Sequence, residues 1–448
     1  EKSDSFTFKV NDGTVDSDAA TVTVNINSDR INIESISLDK TNVSESGNVI
    51  VSASLSKIDS NDIIIPFSYT GTATENIDYE NSNRPVSTVA GGNNFGTNSN
   101  QLAYPHGVHV NSAGDIFIVN RGSHSVVKWS NGSNSGVVVA GGSEGYGLDQ
   151  LKDPDGIYVD SSGNIYIADA GSMRIVKWEP GASQGVVVAG QTNNQGDDDD
   201  ELNHPKNIFV DSSGNIYISD TFNHRVMKWE SGASKGTLVA GVNTMGSSNY
   251  HLNNPRGIYV DSEGSIFVVD KEQHRVMKWE SGADEGIVVA GGNGAGSALN
   301  QLDHPTDLYF GSDGYMYISD KSAHRVVKWK PGANEGVVIA GGNGDGSSDN
   351  QLSDPQGVYL DNDGNLYVSD TRNHRIQKIQ IAPQIKILAG QTSGSLKINI
   401  IDDKIDEDDE TVILSPGTVE GANNSNSEVL TFTINDDDDP PTINFSQS

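Results

Sequence analysis

The feature that most constrains this 448-residue chain is one unit written six times between about Ser87 and Ile379. The clearest copy reads His204-Pro205-Lys206-Asn207-Ile208-Phe209-Val210-Asp211, Gly214-Asn215-Ile216-Tyr217-Ile218-Ser219-Asp220, His224-Arg225-Val226-Met227-Lys228-Trp229, and Gly236-Thr237-Leu238-Val239-Ala240-Gly241. Its prolines, Pro105, Pro154, Pro205, Pro255, Pro305 and Pro355, are spaced by 49 to 51 residues. A fixed period of this size marks a propeller, a solenoid or an array. Each unit carries four short runs of alternating apolar and polar residues, the period-2 sign of strands. Turn sequences such as Asp211-Ser212-Ser213-Gly214 separate them. Four strands in each of six units predict an all-β fold, a six-bladed β-propeller with four-stranded blades.

The unit resembles the NHL repeat, on the strength of Asp220-Thr221-Phe222-Asn223-His224-Arg225 and Asp370-Thr371-Arg372-Asn373-His374-Arg375. The resemblance covers about two thirds of the chain. It implies a fold rather than an activity, because propellers host many functions.

The flanking sequence predicts a second domain split by the propeller. Residues 1–28 carry two alternating runs and resemble the end of a cadherin-like bacterial β-sandwich module. Residues 30–82 contain Val43-Ser44-Glu45-Ser46-Gly47 and Gly71-Thr72-Ala73-Thr74 followed by Asp78-Tyr79. Residues 383–439 contain Asp402-Asp403-Lys404-Ile405-Asp406-Glu407-Asp408-Asp409-Glu410-Thr411 and end in Asp436-Asp437-Asp438-Asp439. Together they resemble the first and second halves of a Calx-β domain, an antiparallel β-sandwich. The propeller, residues 84–382, is therefore expected to be inserted in that sandwich. Seven Val-Ala-Gly-like strand ends exist for six blades, so the strand 86–90 is expected to close the sixth blade. Residues 440–448 read as a linker and the start of a further module.

The Calx-β resemblance implies Ca²⁺ as cofactor, bound by Glu45, Asp78, Asp402, Asp403, Glu407, Glu410, Asp436, Asp437 and Asp438. Gathered carboxylates repel one another and a cation removes that repulsion; Ca²⁺ takes six to eight hard oxygen ligands. Lys404 stands where calcium-rich relatives carry a further Asp, which points to a single or weakened site.

Composition narrows the partners. With 29 basic and 61 acidic residues the net charge is −32, which argues against nucleic acid and against an anionic membrane surface. No apolar run is long enough to span a membrane. There are no cysteines, so disulfides and thiolate chemistry are excluded.

Within the repeat, uniform positions read as scaffold and varied ones as function. Trp129, Trp178, Trp229, Trp279 and Trp329 recur at one position and are expected to pack between blades. His124, His224, His274, His324 and His374 also recur, each followed by a basic residue in four blades and preceded by Asp at four residues' distance. Asp-x-x-x-His-Arg is read as a turn lock with Asp paired to Arg. The residue after each proline differs in every blade: His106, Asp155, Lys206, Arg256, Thr306 and Gln356. These six are expected to ring one mouth of the channel and to bind a ligand; the alternative is a solvated rim with no ligand.

The function expected from these features is that of a non-enzymatic, calcium-binding, ligand-display module. It would belong to a large exported, adhesin-like bacterial surface protein acting in adhesion and cell communication, extracellular or at the cell surface. Its partners would be protein or polysaccharide, with neighbouring β-sandwich modules of the same chain alongside. The alternative is a lactonase- or lyase-like propeller enzyme with a metal in the channel, drawing on His106, Asp155, His204, His304 or Asp307. No nucleophile–base pair or catalytic signature is evident.

Overall fold

The computed structural model of the chain describes residues 2–8, 20–26, 31–44, 47–59, 63–71, 79–81, 85–311, 313–381, 384–400, 409–417, 419, 422–423 and 428–435. Two compact units emerge, one formed by Glu1–Asn83 with Ala382–Ser448, the other by Arg84–Ile381.

The second unit is a six-bladed propeller of four-stranded sheets. Blade 3 shows the plan: Pro205–Val210, Ile216–Asp220, Arg225–Trp229 and Thr237–Gly241 pair antiparallel in that order. The second strand of each blade is not half-exposed as simple alternation would suggest. Ile216–Asp220 is buried throughout, as are its counterparts, because each blade is covered on both faces by its neighbours. Trp178 of blade 2 shares a core with Phe117, Val119 and Val126 of blade 1, and Trp229 repeats this between blades 2 and 3. These tryptophans therefore pack between blades, leaving none exposed for stacking on a ligand.

Blade 6 takes its fourth strand from the other end of the unit. Val86–Gly91 pairs antiparallel with Arg375–Gln380, matching Gly91 to Arg375 and Val86 to Ile379. The sheet edge that would otherwise stay open, and invite association, is covered.

Two devices hold the loops at the proline end of the inner strands. In the first, Arg225 Nε donates to Asp220 Oδ2 at 2.7 Å, and its two other nitrogens donate to the carbonyls of Asp197, Asp198 and Glu201 at 2.7–3.3 Å. The free oxygen of Asp220 accepts the Asn203 amide at 2.6 Å. The pair thus clamps the loop that enters the blade. Blades 2, 4, 5 and 6 repeat it with Nε–Oδ2 distances of 2.7–2.9 Å. Blade 1 has Asn120 and Ser125; Asn120 Oδ1 keeps the amide bond, to Ala103 at 2.6 Å, and the guanidinium is gone.

In the second device the histidines reach across blade boundaries. Each has a left-handed backbone, as His224 does at φ 55°, and all but His324 follow a three-residue 3₁₀ turn. Its Nδ1 accepts the amide before the next blade's proline: His124 from Asp153, His224 from Asn254, His274 from His304 and His324 from Asp354, at 3.1–3.3 Å. In blade 2 Met173 Sδ substitutes, accepting from His204 at 3.3 Å.

The first unit contains two five-stranded sheets. One runs Ala422–Asn423, Ile31–Leu38, Asn48–Leu55, Ser393–Ile400, Tyr79–Asn81; the other runs Gln384–Ile387, Ile63–Gly71, Glu410–Pro416, Leu430–Asn435, Asn42–Ser44. Pairing is antiparallel except at Ile31–Asn32 with Ala422–Asn423 and at Val43 with Ile434. Strands from before and after the propeller interleave in both sheets. They share one core that includes Ile33, Val49, Ile65, Ile398, Val412 and Phe432. The fold is thus a propeller inserted in a β-sandwich. A separate hairpin pairs Lys2–Phe8 with Ala20–Ile26.

Candidate ligand site at the mouth of the propeller

The inner strands of blades 1, 3, 4, 5 and 6 begin at their prolines, where the missing N–H costs no ladder bond; in blade 2 the strand is Ile157–Val159. The residue before each proline has a positive φ, from 45° at Asp153 to 57° at Asn254. This aims the next side chain inward. The position after that is Gly in blades 1, 2, 4 and 6. A Cβ on Gly107 would sit 2.8 Å from the Asp155 carbonyl, so glycine lets adjacent inner strands close up and draws the six side chains together.

His106, Asp155, Lys206, Arg256, Thr306 and Gln356 all line one cavity, with Asn207 and Asp307 just beneath. These side chains do not form a solvated rim. His106, Asp155, Lys206 and Thr306 are buried. Asp155 is the hub: Lys206 Nζ lies 2.9 Å from Oδ2, Arg256 NH1 3.8 Å from Oδ2, and His106 Nδ1 3.3 Å from Oδ1. Burial pushes the Asp155 carboxyl up, but the charges around it outweigh burial and hold it well below the usual carboxylate range. Burial pushes the His106 imidazole down despite Asp155. Its uncharged form is favoured, so Lys206 and Arg256 carry the compensation. Thr306 is tied to the wall, donating from Oγ1 to the carbonyls of Pro355 and Gln356 at 3.1 and 3.0 Å.

Asp307 is held differently. It accepts from Asn207 Nδ2 at 2.7 Å, the Leu308 amide at 3.0 Å and the Val358 amide at 3.1 Å. Those donors favour its charged form, yet burial prevails and pushes it up to about 7.

Sequence reasoning missed a second ring, four residues after each proline: His109, Tyr158, Phe209, Tyr259, Tyr309 and Tyr359. Successive centroids lie 4.6–6.4 Å apart all the way round, including Tyr359 to His109. These distances suit aromatic packing, and the ring closes the channel around its axis. The signal was an aromatic or His at one repeat position in every blade. Burial among these rings pushes the His109 imidazole down to about 3.

Around the mouth stand further charges. Arg121 NH2 is 3.6 Å from Asp153, Lys271 pairs with Glu272 at 2.5 Å, and Arg372 Nε lies 2.8 Å from Asp354. Among the described residues one group has the makings of a metal site: His274, Asp303 and His304. The Nδ1 atoms of both histidines are already engaged. His304 Nδ1 lies 2.6 Å from Asp303 Oδ1, and His274 Nδ1 accepts the His304 amide. A metal on His274 Nδ1 would sacrifice a bond that ties blade 4 to blade 5. His204 meets Asn203 Oδ1 at 3.0 Å and packs against Phe222, so the structure does not bring it together with His304.

Of the nine expected calcium carboxylates, Glu45, Asp78, Asp402, Asp403, Glu407, Asp436, Asp437 and Asp438 lie outside the described residues. Glu410 opens the strand Glu410–Pro416 opposite Ile434.

The NHL repeat family matches residues 102–129, 151–178, 252–279 and 352–379. With the six four-stranded sheets, this makes the unit an NHL-repeat β-propeller. A solved Bacteroides thetaiotaomicron protein of unknown function superposes with a TM-score of 0.54 at 14% identity, over 79% of this chain and 98% of its own. At that identity the likeness concerns the fold. Virginiamycin B lyase from Staphylococcus aureus reaches 0.42 at 12% identity, over 67% of this chain and all of its own. A streptogramin B lyase reaches 0.41 at 12% identity, over 66% of this chain and 97% of its own. No protein of curated function matches in sequence. No helix among the described residues is long and apolar enough to cross a membrane.

Proposed function

We propose that this chain is a non-enzymatic ligand-display module of an exported bacterial surface protein, its propeller binding protein or polysaccharide and its sandwich binding calcium. One observation carries the display reading. Among the described residues, the exposed large hydrophobics of the propeller's loops are Phe95, Tyr104, Tyr146, Leu148, Phe222, Met245, Tyr250 and Leu299. All lie on the turns between second and third strands or on the loops that lead from one blade's outer strand to the next blade's proline; the turns that join first to second and third to fourth strands carry none. Aromatic rings set among Gly, Ser and Asn, on loops clamped by buried Arg–Asp pairs, make a pre-organised recognition surface. Such a face marks an interaction site. The paired mouth argues the same way. A metal on the axis would have to compete with the Lys206 ammonium, which lies 2.9 Å from Asp155.

Calcium support comes from the run of carboxylates in the Calx-β-like segments, which carries the expected ligand chemistry. The test is a calcium titration read by calorimetric melting, on the wild type and on Asp402→Asn with Asp403→Asn and Asp437→Asn. Calcium should raise one transition by several degrees, and the triple variant should lose the rise. A rise that survives in the variant would remove the sandwich site. Metal-dependent opening of a simple lactone by the wild type would replace the display reading with the enzyme reading.

A further inference from the structure

The mouth has a surplus of donors. Among the described residues, the buried side-chain nitrogens without a hydrogen-bond partner include Arg121 Nε and Arg256 Nε. Buried polar atoms are seldom left unpaired, and these two stand at one place. Arg256 lines the cavity. Arg121 stands on the first turn above it, and its charge is felt at His106, Lys206 and Arg256 alike. Arg256 is the sharper case. Its side chain is 20% exposed, and its nearest carboxylate is Asp155, at 3.8 Å. That distance is too long for a hydrogen bond, and Asp155 already takes Lys206 at 2.9 Å. A guanidinium fork offering five N–H donors therefore faces the mouth with no acceptor.

We propose that the mouth binds a carboxylate, with Arg256 as its two-pronged partner and Arg121 as a flanking cation. The inference rests on the display reading and names the chemical class of the group displayed upon. Arg is the side chain matched to planar, two-point recognition of a carboxylate. The cavity is about 20 Å³, room for about one water. It admits one carboxylate oxygen and leaves the rest of the ligand at and above the mouth. The chain's overall charge of −32 repels anions at long range. Selection therefore depends on these short contacts, and weakly placed anions are rejected.

The test uses two carriers of the same group, galacturonate and N-acetylaspartate, with galactose as the uncharged control. Binding to the full chain is followed by calorimetry or by ligand-observed magnetic resonance. At least one acid should bind where galactose does not, and which one does separates a sugar source from a peptide-like source. Arg256→Gln should weaken that binding by about tenfold or more, the usual scale for a hydrogen bond to a charged group. Lys228→Gln, remote from the mouth, should leave it unchanged. The Arg256 side chain makes no hydrogen bond but places its charge beside Asp155, so the melt of the variant is measured alongside and binding is compared where both proteins are folded. Binding of neither acid above the galactose level, or affinity unchanged in Arg256→Gln, overturns the proposal while leaving display of other ligands intact. Lactone turnover by the wild type would instead sink the display reading itself.

Discussion

The Tyr104 amide donates to His374 Nδ1 at 3.2 Å although 270 residues separate them. The two rings meet edge to face at 4.8 Å. This is the same bond that joins each blade to the next elsewhere, made here between the last blade and the first. Beside it Thr371 Oγ1 donates to the Pro105 carbonyl at 2.6 Å. The seam of the ring is therefore built from the same parts as its interior, and its strength can be tested locally.

Gly91 sits at that seam with φ 70°, and a Cβ there would collide with the His374 carbonyl. Gly91→Ala is expected to cost roughly 1–3 kcal/mol, the range for a side chain forced into left-handed backbone. Hydrogen exchange should rise first in Val86–Gly91 and Arg375–Gln380. Uniform loss across all blades would mean that the seam is not the weak point.

The clamp makes a sharper prediction through blade 1, which lacks it. Arg225→Ser alone leaves Asp220 buried without its guanidinium partner, a change that costs about 3–5 kcal/mol. Asp220→Asn added to it copies Asn120 and Ser125, and Asn can still accept the Asn203 amide. The double variant should be more stable than Arg225→Ser alone. Equal or additive losses in a double-mutant cycle would refute a coupled pair.

Met173 is the one non-histidine at its position and carries φ 58°. Sulfur is a poor acceptor for the His204 amide, and Met is poorly suited to left-handed backbone. Met173→His should stabilise the boundary of blades 2 and 3 by about 0.5–1.5 kcal/mol, read as a higher melting temperature. A lower one would show that packing of the Met173 side chain outweighs the bond.

His109 predicts a pH effect. Its pKa is pushed from 6.5 down to about 3 in the folded chain, so between those values the unfolded chain binds a proton that the folded chain refuses. Stability from the neutral imidazole is complete above about pH 6.5 and is lost as pH falls toward 3. His109→Phe, which copies Phe209, should flatten this limb relative to the wild type in urea melts across that range. Parallel curves for the two proteins would show that His109 takes no part.

Much of this was legible in the sequence, and for a definite reason. A repeat states each structural requirement several times, so Trp229 and its counterparts reveal themselves as packing, and Asp220 with Arg225 as a pair, by recurrence alone. The joint loss at Asn120 and Ser125 even showed that the two act together. What recurrence cannot show is direction. Nothing in the spacing says that Arg225 also reaches the carbonyls of Asp197 and Asp198, or that His224 serves the next blade rather than its own. The varied position after each proline reads as an open rim because its polar residues differ. Burial and mutual pairing of Asp155, Lys206 and His106 arise only when six strands converge. The aromatic ring was overlooked because His109 breaks its pattern and because alternating strands always carry some aromatics.

The borrowed strand Val86–Gly91 sets an order of events. It is made among the first residues of the propeller, yet its partner Arg375–Gln380 is made last. The early strands Asn48–Leu55 and Ile63–Gly71 likewise wait for Ser393–Ile400 and Glu410–Pro416. The chain is written like one pair of brackets inside another. At a synthesis rate of roughly 5–20 residues per second, the inner pair cannot shut for tens of seconds, and the outer pair must stay open longer still. Through that interval two unpaired strand edges need protection. The cell that makes this protein must either shelter them or export the chain before they can find each other.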